Sequence, residues 1–415
     1  MKILFLSARY PPDFIGGGEL STATIAEGLA ARGHEVTVLT GARESHEEQQ
    51  RGVAVRRSRD LYRLWEKPLL EERTSAAMRP ALLQLLPSSV DILHAHDFRS
   101  ALLLSLLDRP SRVVTVRDFA AICGTTNNMW WDGRSCDGCF WPNVLFRCHR
   151  VVEASPARKP FRVWQYKYNL GFRGRAFQRI PHHVYISAAL RDRISTRLTI
   201  PPSATVIPNP IGPEWLADAS TLPTPPRAVY AGTVESQKGI AILLKAWSLL
   251  VRELPESELE IIGTGDIDGY ERMARTLGIT SRVRFVGKVP PNEVRQHFDA
   301  AQVIVQPSLW EEPFGRTVLE AYARGKPVVA SDTGGLKDLV TAETGALVPP
   351  GDVSSLTRAL KRFLTDASYA SACGKAGRLR VEREFTADRI AAQYETFYQS
   401  ILTRGGGVGT IPTAS

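Results

Sequence analysis

The feature that most constrains this chain is a rhythm, played twice. Short, continuously apolar runs, KILFLSA from residue 2, EVTVLT from 35, VDILHAHD from 90, RVVTVRD from 112 and HHVYIS from 182, alternate with helical stretches such as STATIAEGLAARG. In that stretch apolar residues recur at three-to-four spacing before a stop at Gly33. Strands alternating with helices imply a parallel sheet covered on both faces. The rhythm then breaks where Pro201, Pro202, Pro208, Pro210, Pro223, Pro225 and Pro226 interrupt regular structure, and restarts with AVYAGTV, LEIIGTGD, VRFVGKV, VIVQPS and PVVASD. The expected fold is therefore α/β: a Rossmann-like domain over 1–205 and a second over 206–385, facing across a cleft at the carboxyl ends of their strands. A last helix over 386–403 returns to the first domain, and RGGGVGTIPTAS makes 404–415 a loose tail.

At 415 residues the chain is long enough for two domains, and 43% hydrophobic with 23% charged residues is a globular composition. No run of about 18 apolar residues occurs, and MKILFLSARY turns polar too soon for a secretory leader, so the expected location is cytoplasmic. The net charge of +9 favours anionic partners. Between Glu153 and Asp192 no acidic residue occurs, while basic residues alternate with Phe161, Trp164, Tyr166, Tyr168, Phe172 and Phe177. This reads either as a helix pair with a solvated basic face and a buried aromatic one, or as peripheral contact with an anionic membrane at its inner face or with a polyanionic acceptor.

The most informative stretch is PSLWEEPFGRTVLEAYARGKPVV, residues 307–329. A strand ends at Ser308 and a helix runs from about Arg316 to Gly325, so Phe314 and Gly315 fall at a helix N-terminus, where free amides and the macrodipole attract an anion such as a diphosphate. Glu312 then lies beside that anion. Glu320, one turn into the helix, can accept hydrogen bonds from two vicinal hydroxyls, such as those of a ribose.

The pair Glu312 and Glu320 with EPFG between them resembles the retaining glycosyltransferases of family 4, of GT-B fold. The resemblance implies transfer of a hexose-type sugar from a nucleoside-diphosphate donor, UDP or GDP, to a hydroxyl acceptor on a glycan or lipid-linked intermediate. Nucleic acid is not an expected partner. It implies that Glu312 touches the donor sugar, that Glu320 holds the ribose, and that the backbone of Phe314, Gly315, Arg316 and Thr317 meets sugar and phosphate. PPDFIGGGELSTATIAEGLAARGHEVTVLT is similar to the family's amino-terminal segment, with Gly16 and Gly17 approaching the diphosphate. GTVESQKG resembles the loop that carries a phosphate-neutralising lysine, here Lys238; Gly263 and Val289 would approach the base. Two positions depart from the pattern. Thr233 stands where the family commonly has an arginine, and Arg117, before Asp118, stands where it has a histidine. Arg117 is a permanent cation and cannot serve as a base, though it can bind a sugar hydroxyl or phosphate. A nucleotide-sugar epimerase or phosphorylase, or a silent nucleotide-sugar binder, is the alternative on the same plan.

Three further features need an account. In HAHD, strand alternation puts His94 and His96 on one face, with His96 and Asp97 at the carboxyl end; His96 and Asp118 are acceptor-side candidates. GDIDG, with Asp266 and Asp268, is read as a turn. Cys123, Cys136, Cys139 and Cys148 include one C-x2-C pair, which in a reducing compartment favours a structural zinc over two disulfides. No cofactor is needed for the chemistry itself. Cys373 is expected to be buried.

Overall fold

The computed structural model describes residues 1–13, 16–66, 70–124, 128, 136–148, 155–217 and 226–404. The tail from 405 and the prolines Pro223 and Pro225 lie outside the described residues.

Chain contacts divide the described residues into two units, one running to Pro210 and resuming at Ala387, the other spanning Ile211–Thr386. The first unit contains β1 (Lys2–Ser7), α1 (Gly17–Ala31), β2 (Glu35–Gly41), β3 (His46–Gln50), β4 (Val53–Ser58), α2 (Glu71–Leu85), β5 (Ile92–Ala95), α3 (Phe98–Leu104), β6 (Arg112–Val116), α4 (Trp141–Phe146), α5 (Lys159–Arg179), β7 (His182–Tyr185), α6 (Ala188–Ser195) and β8 (Thr205–Val206). Its sheet has the order β3-β4-β2-β1-β5-β6-β7-β8, so the direction of strand addition reverses between β1 and β5. The ends of those two strands are tied where Ala8 N donates to Asp97 Oδ2 at 2.6 Å. Such a reversal opens a crevice at the strand carboxyl ends of an α/β sheet.

The second unit contains β9 (Arg227–Ala231), α7 (Ile240–Glu253), β10 (Glu258–Ile262), α8 (Ile267–Thr276), β11 (Val283–Gly287), α9 (Pro291–Asp299), β12 (Val303–Gln306), α10 (Arg316–Ala323), β13 (Val328–Ser331), α11 (Leu336–Leu339), β14 (Gly345–Val348), α12 (Val353–Thr365) and α13 (Ala367–Glu384). All its strand pairs are parallel, in the order β11-β10-β9-β12-β13-β14, with the reversal between β9 and β12. The final helix α14 (Ala387–Arg404) packs in the first unit.

Each core follows from side-chain spacing. In α7 the residues Ile240, Leu243, Leu244, Trp247 and Leu250 fall on one face and are all buried against the strands, each contributing about 1.5–3 kcal/mol. In the first unit Ile3, Phe5, Val36, Val38, Val55, Ile92, Val113 and Val184 meet Ile25 and Leu29 of α1 and Ile390, Tyr394 and Tyr398 of α14. Arg32 pins that last helix through Asp388 at 2.7 Å and Glu395 at 2.8 Å.

Several expectations change. The first sheet is not wholly parallel: β3 pairs antiparallel with β4 across a turn at Arg51 and Gly52. HEEQQ carries no apolar face because it is a solvated edge, so alternation cannot reveal it. The boundary falls at Pro210 and Ile211 rather than at 205 and 206. The first helix starts at Gly17, four residues before Ser21. The basic aromatic segment is one helix of 21 residues, not a pair. It buries Val163, Phe172, Ala176 and Phe177, while Phe161 and Trp164 stand 47% and 49% exposed. GDIDG is a helix start: Asp266 caps α8, accepting from Gly269 N at 3.0 Å. Among the described residues no helix is long and apolar enough to cross a membrane.

Candidate functional site

In the second unit the loops at the reversal point are laced together. Leu309 N, after β12, donates to Gln237 O, after β9, at 2.8 Å. Gly232 N reaches Ile262 O at 3.0 Å, Gly263 N reaches Gly287 O at 2.9 Å, and Tyr230 Oη donates to Thr233 O at 2.7 Å. This fixes Thr233 and Gly263 at the ends of β9 and β10, with Thr233 exposed, and Val289 half-buried just past β11.

Lys238, closing the 3-10 turn Ser236–Lys238, reaches across to the loop after β12. Its Nζ lies 2.7 Å from Glu312 Oε1 and 4.8 Å from the Trp310 ring centre. Ser308 Oγ donates to the same Oε1 at 2.7 Å. Two side chains that the sequence paired with a ligand are thus paired with each other. The Glu312 carbonyl is also taken, accepting from Gly335 N at 2.6 Å. Gly334 is required beside it: at φ +51, a Cβ there would strike the Glu312 backbone.

The chain then turns into α10 through Gly315, at φ +114. A side chain at Gly315 would be strained in that conformation and would meet Leu336 Cδ2 at 2.7 Å. Phe314 is buried, so this segment presents backbone, with Arg316 and Thr317 as the first helical residues. Glu320, one turn on, accepts from Arg316 Nε at 2.9 Å. Burial raises its carboxyl above the ordinary glutamate value of 4.5, against the pull of Arg316.

The first unit has its own constellation where β5 and β6 end. His94 and His96 stack with ring centres 4.0 Å apart. His94 is saturated, with Nδ1 2.6 Å from Tyr398 Oη and Nε2 2.8 Å from Thr115 Oγ1. Arg117 donates through Nε to His96 O at 3.1 Å, to Asn209 Oδ1, to Thr22 Oγ1 at 3.4 Å and to His96 Nδ1 at 3.3 Å. Burial, with Arg117 nearby, holds both histidines well below 6.5, hence neutral. Burial likewise raises the Asp118 carboxyl, which accepts from Ala120 N at 2.8 Å. Gly16 is the N-cap of α1 and Gly17 its first residue. Asp97 is a cap too, accepting from Arg99 N and Ser100 N at 3.0 Å each.

The sequence did not single out Ser308, Trp310, Asn209 or Gly334. Ser308 and Trp310 lay inside the quoted stretch; Asn209 sat in the proline passage, where nothing local marks it as the partner of Arg117. Cys123, Cys136, Cys139 and Cys148 line one cavity with no disulfide among them, and Cys373 is buried in the second unit. Burial, helped by the neighbouring thiols, pushes Cys139 up to about 12.

Comparison with known proteins agrees with this architecture. The family described as "Glycosyltransferase Family 4" matches residues 15–215, and "Glycosyl transferases group 1" matches residues 214–380. An "Uncharacterized glycosyltransferase" of Methanocaldococcus jannaschii is 26% identical over 419 residues, covering 98% of this chain and all of that one. Sucrose-phosphate synthase from Thermosynechococcus elongatus superposes with a TM-score of 0.75 at 21% identity, over 97% of this chain and all of the other. Anabaena HepE in complex with UDP-glucose superposes with a TM-score of 0.65 at 19% identity, over 96% and 100%. With a family 4 domain followed by a group 1 domain, each built on a Rossmann-like sheet, the chain belongs to the family 4 glycosyltransferases of GT-B fold.

Proposed function

We propose that the protein is a retaining hexosyltransferase that takes its sugar from a nucleoside-diphosphate donor, UDP or GDP, and passes it to a hydroxyl acceptor. One observation carries the reading. At the reversal point of the second sheet, two half-buried carboxylates, Glu312 and Glu320, each stand within 3 Å of a cation, Lys238 and Arg316. The N-terminus of α10 lies between them in the chain. A diphosphate at that N-terminus would recruit Lys238 and share it with Glu312, and the ribose hydroxyls would donate to Glu320. Gly263 and Val289 would meet the base, and Thr233 would offer a hydroxyl. HepE, a protein of the same fold, binds UDP-glucose, which supports a donor of that class.

The chemistry follows from charge. Departure of the diphosphate builds negative charge that Lys238 and the amides of α10 stabilise. Glu312 binds a donor hydroxyl and favours the cationic sugar, and the acceptor hydroxyl attacks on the leaving-group face with the departing phosphate as base. His96 and Asp118 serve on the acceptor side, and Arg117 binds a sugar hydroxyl or the departing phosphate. We assign polysaccharide or glycolipid synthesis as the setting, with the exposed Phe161 and Trp164 of α5, beside the exposed Arg162, resting on an anionic membrane.

The test is a panel of UDP- and GDP-hexoses with glycan and lipid-linked acceptors. Acceptor-dependent release of the nucleoside diphosphate, with the anomeric configuration retained in the product by NMR, is the expected result. Donor conversion without acceptor would replace this reading with an epimerase; binding without turnover under any acceptor would replace it with a silent binder.

A further inference from the structure

The cysteine cluster lies outside the donor machinery, and its geometry is specific. Cys123 ends a tight turn, its amide donating to Phe119 O at 2.8 Å. Cys136 and Cys139 flank Asp137 and Gly138 just before the short helix α4, and Cys148 follows that helix, its amide donating to Asn143 O at 2.8 Å. Four residues spread over 26 positions of chain thereby line one cavity of about 30 Å³, closed on its other side by Tyr166, Lys167 and Leu170 of α5. That volume holds about one water-sized particle. Nothing in the chemistry proposed above uses these thiols, and a cavity this small does not admit a sugar or a nucleotide.

Two further observations point to a charged occupant. The amide of Asn128 donates to Cys123 Sγ at 3.3 Å, the kind of N–H contact that stabilises a metal-bound thiolate. Guanidinium groups also gather on the backbone of the same cysteines. Arg173 donates to Cys123 O at 3.0 Å, Arg193 to Cys136 O at 2.7 Å, and Arg197 to Cys136 O as well. A divalent ion held by four thiolates carries a net charge of −2, and this cationic shell offsets it. As placed, the thiols do not meet at one point: among the described residues no three His, Cys, Asp or Glu side chains form a ready ligand set. Cys136 Sγ spends its proton on Gly138 O at 3.7 Å, a weak contact that deprotonation by a metal would replace.

We propose that Cys123, Cys136, Cys139 and Cys148 bind one zinc ion as four thiolates. Each Sγ moves to about 2.3 Å from the metal, and four protons leave to solvent as it loads. The ion fastens the insertion after β6, and with it the segment that follows Arg117 and Asp118, to α5. The proposal is independent of the glycosyltransferase chemistry.

The experiment is elemental analysis of the full chain, expressed with zinc and purified under reductant without chelator. The expected content is about one zinc per chain, retained in Cys373→Ser and lost in Cys139→Ser and in Cys148→Ser. If those variants do not fold, the wild type alone decides. Titration with an organomercurial should release the zinc as four thiols are blocked, and cobalt(II) reloading should give the intense near-ultraviolet charge-transfer band of a tetrathiolate. Absence of metal from the zinc-fed wild type, disulfides seen by mass, iron with acid-labile sulfide, or zinc kept in both serine variants would each overturn the proposal.

Discussion

If Glu320 holds the donor ribose, its replacement by glutamine has a worked consequence. Hydrogen bonds to a charged group contribute about 1.5–3 kcal/mol each. Glu320→Gln keeps one acceptor oxygen and loses the charge and one bond, so nucleotide affinity should fall roughly ten- to hundredfold. The loss should also depend on pH. Burial raises the folded carboxyl above 4.5, so whatever stability this group contributes is present below the ordinary glutamate value and is lost as pH rises through the raised one. Ribose binding has the opposite sign, because only the ionised form accepts two hydroxyls. Wild-type affinity should therefore strengthen with pH across the region above 4.5, while Glu320→Gln stays flat. Calorimetry with UDP and GDP, each compared with its 2′-deoxy analogue, closes a double-mutant cycle. In the wild type, removing the 2′-hydroxyl should cost about tenfold, and in Glu320→Gln much less. Equal losses in both proteins would show that carboxylate and hydroxyl do not meet, and the ribose assignment would fall.

Other outcomes follow from the same contacts. Lys238→Ala should lower kcat/KM roughly 10²–10³-fold by removing the cation that meets the leaving group, and unchanged diphosphate release would refute that role. Phe161→Ala with Trp164→Ala should abolish sedimentation with anionic vesicles while leaving turnover of a soluble acceptor intact; undiminished sedimentation would remove α5 from the membrane. His183, buried against Phe177 O and Tyr185 Oη, has its pKa lowered from 6.5 to about 4 by burial. A histidine depressed on folding contributes stability above 6.5 that is lost between 6.5 and 4, here about 3 kcal/mol, so melting curves of His183→Gln should be flatter with pH than those of the wild type. Arg117→Lys cannot keep four acceptors in one plane, and should lower kcat at saturating donor and acceptor; an unchanged kcat would remove Arg117 from the chemistry.

Among the described residues ten of fourteen strands announced themselves as short, mainly apolar runs, most of them buried on both faces; β11, an edge strand with Arg284 exposed, is the least buried of the ten. The four that did not are β3, polar on an edge; β4, whose VAVRRS alternates with buried arginine and serine; β8, two residues long; and β14, whose GALV hides among turn residues. The same contrast holds in the site. Glu312, Gly315 and Glu320 are close in sequence and sit on one loop and one helix, so spacing alone places them. The bond from Lys238 to Glu312 spans 74 residues, and that from Arg117 to Asn209 spans 92. Contacts of that kind are made by strand order, which apolar periodicity does not encode. Arg173 is a sharper case. In sequence it is one more cation of a basic helix, yet it is buried and bidentate to Glu71 at 2.5 and 2.7 Å.

Arg117 changes the proton bookkeeping of the first unit. An arginine only donates, so its contact with His96 Nδ1 requires a lone pair there. Since burial keeps His96 neutral, its proton sits on Nε2, and that nitrogen is buried with no partner among the described residues. An unsatisfied buried donor costs about 1–3 kcal/mol and is retained where something arrives to accept it. In a chain with histidine at 117 the hydrogen bond to His96 Nδ1 could run either way, and the tautomer would be free. With arginine it is fixed. An arginine at 117, itself unable to act as a base, thus presets a donor at its neighbour, at the carboxyl end of β5. Neither residue can then take a proton at neutral pH, in keeping with the proposed use of the departing phosphate as base.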